Sequence, residues 1–414
     1  MGNEKQAHTK SAIIYALAYC LERASYYGMR SLLVLLMIGS VFNFSNSKAL
    51  AIYGWFTIAI YLAKGLGAIL GDLLIGNRKT IFIGGVLQAL GCFILSTQAI
   101  WGLYLGIGLI VLGTGLFSSN TLAQFGKQYI NKPRQLDSGF SWLFAAVNFG
   151  SFVGVILIGY FGEFSFSYGF LVAGILMIIA AVFVVFTNEN QESVSYNFRK
   201  MNYGKTFFYI SAVILISGVF WAIYEISYFG IFTIQKTVLS SADLIIPQSI
   251  LTSGLNSYFG IFIITALAII WTYVYTNSFL KLFIGLILSA LSFAILLFFP
   301  ENPDSSYMFG FLTAVFLLSV GEMFISPILF SITTRFSNPK YLAIMLCVVA
   351  IPSMFFFKIA GVLSEHSSEL SFNIIFIASA IILLSLSIIA LVLWKVFKPE
   401  NITYLSKEAE EFLS

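Results

Sequence analysis

Charge is what this chain lacks most. Only 10% of its 414 residues are Asp, Glu, Lys or Arg, against about 25% in soluble globular domains. A water-soluble interior has no room to hide a chain that is 59% hydrophobic. Histidine is nearly absent: His8 stands in the polar N-terminal stretch and His366 between apolar runs. Histidine-based catalysis and metal binding are therefore not expected. The cysteines Cys20, Cys92 and Cys347 all fall inside apolar runs without metal-ligand spacing. They read as small packing residues rather than a disulfide framework. No nucleophile–base set, metal site or cofactor is expected, and no enzymatic activity. The net charge of +4 is too small to point to nucleic acid. A cleavable signal is not expected either, because the polar start leads into a long apolar run with no small-residue cleavage site after a short core.

What is present is apolar length. Runs of about 20 apolar residues mark membrane-spanning helices, and they recur near 11–40, 48–71, 79–99, 101–126, 138–160, 166–187, 205–235, 247–275, 279–299, 306–334, 341–363 and 370–397. The expected fold is an all-α membrane protein of twelve transmembrane helices in two six-helix halves. The N-terminal half covers 1–187, a polar cytoplasmic linker 188–203, the C-terminal half 204–399 and a cytoplasmic tail 400–414. Two six-helix halves are the plan of many secondary transporters. With the N-terminus placed inside, sixteen lysines and arginines fall in inner segments and two, Lys48 and Lys236, in outer loops. Basic residues are retained on the cytoplasmic side of a membrane, so both termini are expected to be cytoplasmic, in the cell (inner) membrane.

Seven charged residues then lie at membrane depth: Glu22, Arg23, Arg30, Lys64, Glu225, Glu322 and Lys358. Each costs at least about 2.5–3.5 kcal/mol there unless it pairs or lines a wet cavity. A bundle that only packed would have little use for them. Arg23, Tyr26 and Arg30 share one face of the first helix, at spacings of three and seven. Tyr19, Glu22 and Tyr26 make an overlapping stripe. Guanidinium groups among phenols suit an anionic or zwitterionic ligand, since arginine grips a carboxylate with two parallel hydrogen bonds. A local Glu22–Arg23 ion pair is the competing reading of the same residues. Between the second and third runs, Gly71-Asp72-Leu-Leu-Ile-Gly76-Asn-Arg78-Lys79 provides a glycine turn and an acid able to cap the next element or pair with a base.

That last motif resembles the helix 2–3 loop of the major facilitator superfamily. A narrower resemblance follows. Glu22-Arg23-x-x-Tyr26-Tyr27-Gly28-x-Arg30 is similar to the first-helix motif of the proton-coupled oligopeptide transporters. Gly113-Thr-Gly115-Leu-Phe-Ser118-Ser-Asn120 resembles their helix 4 motif, and Asp137-Ser-Gly-Phe140 leading to Asn148-Phe-Gly150-Ser151 their helix 5 signature. Phe220-Trp221-Ala-Ile-Tyr-Glu225 and Leu255-Asn256 resemble helices 7 and 8. Gly321-Glu322-Met-Phe-Ile-Ser326-Pro327, then Asn338-Pro339-Lys340, resembles helix 10.

The resemblance implies a major facilitator fold, a monomer, and roles position by position. Arg23 would hold a peptide carboxylate with Tyr26, Tyr27 and Tyr61. Glu322 and Asn256 would hold the peptide amino group, with Asn148 between the halves. Trp221 would line the side-chain pocket, and Arg30 and Glu225 would pair as an extracellular gate. Glu22 and Glu322 would carry the coupling proton. The expected function is import of di- or tripeptides by alternating access, with protons as co-substrate and the lipid bilayer as the protein's surroundings.

Departures from the family pattern keep two alternatives open. Tyr19 stands where the family has a glutamate, and Ser118 where it has a lysine. Lys64, three residues after Tyr61, stands where the family usually has proline and is a candidate compensating charge. The tryptophan expected near Val348 is missing, and no pair of extra helices separates the halves. The alternatives are the same fold carrying another small zwitterion or anion without ordinary proton coupling, and a non-transporting membrane sensor.

Overall fold

The computed structural model describes residues 8–130, 132–187, 203–240, 255–300, 303–351 and 372–396. The expected linker (apart from Tyr203), the tail, Lys358 and His366 lie outside the described residues, as does the side chain of Asn256.

Every regular element among the described residues is helical. In chain order these are α1 (Lys10–Ile38), α2 (Asn46–Ile69), α3 (Asn77–Leu95), α4 (Ile100–Lys127), α5 (Leu136–Phe164), α6 (Phe166–Val185), α7 (Tyr203–Ser240), α8 (Leu255–Tyr273), α9 (Ser278–Leu296), α10 (Met308–Phe336), α11 (Pro339–Ile351, opening with a 3-10 turn) and α12 (Phe372–Val396). Hydroxyl and amide side chains start several of them. Thr9 accepts from Ala12 N (3.2 Å) at α1, and Asn277 accepts from Phe279 N (2.8 Å) at α9, satisfying amides that have no intrahelical partner.

Among the described residues, nine helices are long and apolar enough to cross a membrane. The chain is thus a multi-pass membrane protein. Although 29 residues long, α1 falls outside the nine, because Glu22, Arg23 and its tyrosines dilute its hydropathy. Outward-facing Trp55, Leu62, Phe262 and Phe309 are largely exposed, as suits side chains that meet lipid.

The chain forms two compact units. The first comprises Met1–Ser195 and Thr334–Val348; the second comprises Tyr196–Thr333 and Val349–Ser414. In the first unit α3 packs on α4 and α6, α1 on α5 and α6, and α2 on α4. Lipid is as apolar as leucine, so close backbone approach through small residues replaces the hydrophobic drive. A Cβ on Gly154 or Gly150 of α5 would collide with the α1 backbone at Ala24 or Cys20. In the second unit α9 packs on α12, which also meets α7.

Several boundaries differ from the sequence expectation. The Gly71–Asp72 motif is not a loop. Residues Leu70–Ile75 continue α2 as a π-helical turn, and Gly76 alone, at φ +85°, separates that turn from α3. Only glycine adopts such a conformation without cost, and the space around it is otherwise open. Lys281, inside the expected run 279–299, lies in the first turn of α9 and is only 2% exposed. Its ammonium lies 4.5 Å from the Trp271 ring centre, where a cation–π contact replaces part of its hydration.

Candidate functional site

The first unit gathers charge around α1. The Arg23 Nε donates to Glu22 Oε2 (2.5 Å) and its Nη2 to Glu22 Oε1 (2.6 Å). Nη2 also donates to Ser118 Oγ on α4 (2.9 Å). Glu22 is 0% and Arg23 7% exposed, so this is a buried, two-pronged ion pair, a strong form of charge-assisted hydrogen bond. Three phenol rings surround the guanidinium carbon, those of Tyr19 at 5.1 Å, Tyr26 at 4.9 Å and Tyr27 at 5.9 Å. Tyr19 and Ser118, both departures from the family pattern, each contact Arg23. Glu22 occupies the guanidinium edge that was expected to face a ligand.

Lys64 belongs to the same cluster. The α2–α4 crossing is at backbone contact, since a Cβ on Gly115 would meet Ala63 and one on Gly67 would meet Gly115. Ser119 Oγ also donates to the Lys64 carbonyl (3.1 Å). The half-buried ammonium sits 5.1 Å from the Tyr61 ring centre. It lies within electrostatic reach of Arg23, Glu22 and the Cys347 thiol. Arg30 finds a partner on α2: its Nε donates to the Tyr53 hydroxyl, and its guanidinium carbon stands 5.0 Å from the Tyr53 ring centre.

The second unit holds the acids. Glu322 on α10 is hydrogen-bonded to the Tyr224 hydroxyl on α7, and Glu225 adds its charge beside that phenol. Trp221 is half-buried and packs edge-on against Phe220 (5.7 Å) and tilted against Tyr224 (5.4 Å). Asn148, in the first unit, donates to the Phe144 carbonyl of its own helix (2.8 Å). Tyr53 and Tyr224 were not singled out from the sequence. A signal existed for Tyr224, which follows Trp221 by three residues and precedes Glu225 inside the helix 7 motif. Tyr53 carries no such local signal.

A second cluster surrounds Asp72. Its Oδ1 accepts from Asn77 Nδ2 (2.8 Å) and its Oδ2 from the Ile344 amide (2.9 Å). Asp72 thus caps the start of α11 rather than the following helix α3, where an acid answers the exposed amides and the positive end of the helix dipole. Asn77 also donates to Asn120 Oδ1 (2.7 Å) and accepts from Lys127 Nζ (2.6 Å). Nearby in the chain, Arg335 pairs with Asp137 (3.6 Å) and donates to the Pro133 carbonyl (3.0 Å). These bonds hold the Thr334–Val348 segment within the first unit.

A peptide transporter of Yersinia enterocolitica is 35% identical over 167 residues, which is 38% of this chain and 33% of that protein. The di-/tripeptide transporter of Lactococcus lactis is 32% identical over 167 residues, or 38% and 34%. Dipeptide and tripeptide permease B of Photorhabdus luminescens is 25% identical over 224 residues, or 53% and 46%. The matches thus span a third to just under half of these curated relatives. Among solved structures, a POT family transporter in complex with 5-aminolevulinic acid superposes with a TM-score of 0.63 at 19% identity, covering 94% of this chain and 96% of the other. A POT family transporter with a thioalcohol-conjugated peptide gives 0.62 at 20% identity, covering 92% and 95%. At such identity the likeness establishes the fold. The family model described as Major Facilitator Superfamily matches residues 15–355, and the chain belongs to that superfamily of membrane transporters.

Proposed function

We propose that this protein is a secondary active transporter that imports di- or tripeptides by alternating access, coupled to protons. The observation that carries this reading is the separation of charge. Arg23, ringed by Tyr19, Tyr26 and Tyr27, lies in the first unit, and the Tyr224–Glu322 pair lies in the second. A peptide is a zwitterion, and ligand groups of opposite sign suit poles of opposite sign. The names of the Yersinia, Lactococcus and Photorhabdus relatives support the choice of cargo.

In this reading Arg23, Tyr26, Tyr27 and Tyr61 serve the carboxylate end of the peptide, and Glu322 and Asn256 serve the amino end. Asn148 and Trp221 line the remainder, and Arg30 and Glu225 form a gate. Glu22 and Glu322 carry the proton. A proton on Glu22 would release the Arg23 fork for a ligand, so the ion pair itself is the coupling element. The chain works as a monomer in the cell (inner) membrane, with both termini, the 188–203 linker and the 400–414 tail cytoplasmic and helical halves at 1–187 and 204–399.

The neutral side chains of Tyr19 and Ser118 beside Arg23 favour one second reading: another small zwitterion or anion moved without ordinary proton coupling. The two are separated by uptake of labelled dialanine into liposomes with an imposed inward proton gradient. The first reading expects accumulation above gradient-free vesicles that collapses when the gradient is dissipated. Equal uptake with and without the gradient would overturn proton coupling, and no uptake at all would overturn peptide transport.

A further inference from the structure

Three charged side chains meet where α1, α2 and α4 come together: Glu22, Arg23 and Lys64. Two are cations and one is an acid, and the acid is already committed. Both Glu22 oxygens accept from Arg23, and the Arg23 Nη2 has a further acceptor in Ser118. Lys64 has only the face of the Tyr61 ring, with no hydrogen bond or ion pair from its ammonium to any described residue. An ammonium offers three donors, and one held at membrane depth without an acid is costly. Its backbone has no freedom to seek a partner elsewhere. The Ala63–Gly115 contact and the Ser119 bond to its carbonyl fix α2 against α4 at this position. Its side chain is half-buried and carries the one surplus positive charge of the cluster.

We propose that Lys64 is the group that receives the ligand carboxylate while Glu22 and Arg23 remain paired. The ligand class is a small molecule bearing one free carboxylate. This assignment rests on the reading of the first unit as the pole that takes the anionic end of a substrate. It shifts the first contact from the guanidinium of α1 to the ammonium of α2. It also separates two duties: Lys64 captures the anion, and the Glu22–Arg23 pair reports its arrival.

The test uses the full-length purified protein in lipid nanodiscs, the variants Lys64→Gln and Lys64→Arg, and three probes: dialanine, dialanine C-terminal amide and sodium propionate. Wild type is expected to bind the free acid at least about tenfold more tightly than the amide, the range for a hydrogen bond to a charged group. Lys64→Gln should bring that ratio close to one, and Lys64→Arg should restore most of it. A Lys64→Gln protein that keeps the wild-type ratio overturns the proposal while leaving peptide binding intact. Wild type that ignores both dialanine probes but is thermally stabilised by propionate only when Lys64 is present overturns the peptide reading and upholds Lys64. No response to any carboxylate overturns the proposal outright. Because the glutamine variant has its own folding risk, acylation of Lys64 in the wild-type protein is followed by mass spectrometry. The rate should fall several-fold when dialanine or propionate is bound, and an unchanged rate overturns the assignment.

Discussion

The two units answer charge with the same residue used in opposite ways. In the first, tyrosine rings turn their faces to cations: Tyr19, Tyr26 and Tyr27 to Arg23, Tyr53 to Arg30 and Tyr61 to Lys64. In the second, the Tyr224 hydroxyl meets the Glu322 carboxylate. The ring face of a phenol is electron-rich and its hydroxyl donates, so one side chain type serves both signs. Arg23 also has a dedicated acid, Glu22, so its charge is matched ion to ion, and the Tyr224 phenol meets Glu322 as a neutral partner.

That contrast gives predictions of decreasing size. Glu22→Gln strands a buried guanidinium and should destabilise the protein by about 3–5 kcal/mol, as breaking a buried ion pair does. Glu322→Gln leaves a hydrogen bond to Tyr224 possible, so it should change stability by about 1 kcal/mol or less yet sharply reduce uptake. Thermal unfolding of both variants beside dialanine uptake checks this, and equal destabilisation would erase the contrast between ionic and phenolic partners. At the next level, Tyr224→Phe removes the donor and should cost about 1 kcal/mol. Tyr26→Phe keeps the ring face over Arg23 and should leave stability nearly unchanged, whereas Tyr26→Leu should lose about 0.5–2 kcal/mol. The smallest effect lies outside the bilayer. His8 hydrogen-bonds the Tyr129 hydroxyl (2.8 Å), and burial, then the charge of Lys132, holds its imidazole below the usual 6.5. A histidine depressed on folding supports the fold fully above its unfolded pKa, and the contribution fades as pH falls below that value. The melting temperature of wild type should therefore drop more between pH 8 and pH 5 than that of His8→Phe, with both pH values bracketing the about 6.5 reference. Parallel curves would remove His8 from the account.

Much of the architecture was legible because lipid imposes length and apolarity on every span, and those are read directly from residues. The Arg23 cluster was legible in outline because Arg23, Tyr26 and Arg30 recur at helical spacing. Its Glu22–Arg23 pairing reads only as the competing possibility, and the structure shows it. Glu22 and Arg23 are adjacent in sequence, and adjacent residues do not share a helix face, but the long arginine side chain folds back and closes the pair. The burial of Lys281 was not legible, because a lysine near a helix end reads as solvated and the Trp271 ring it meets belongs to another helix. The cap on α11 was illegible in principle. Asp72 is a visible acid, but its partner is the backbone amide of Ile344, and an amide belongs to every residue except proline. The same holds for the Thr334–Val348 segment, whose membership of the first unit depends on contacts far apart in sequence.

The junction at Gly76 has a mechanical consequence. With a π-turn running to Ile75 and α3 opening at Asn77, α2 and α3 share a tether of one residue and no slack. Lengthening it by even a few residues would uncouple two helices that otherwise must tilt together. Insertions there should be poorly accepted, although the glycine is exposed and a side chain on it would meet open space. Exposure is an unreliable guide to tolerance at such a point, because what is conserved mechanically is the length of the connection rather than any contact it makes.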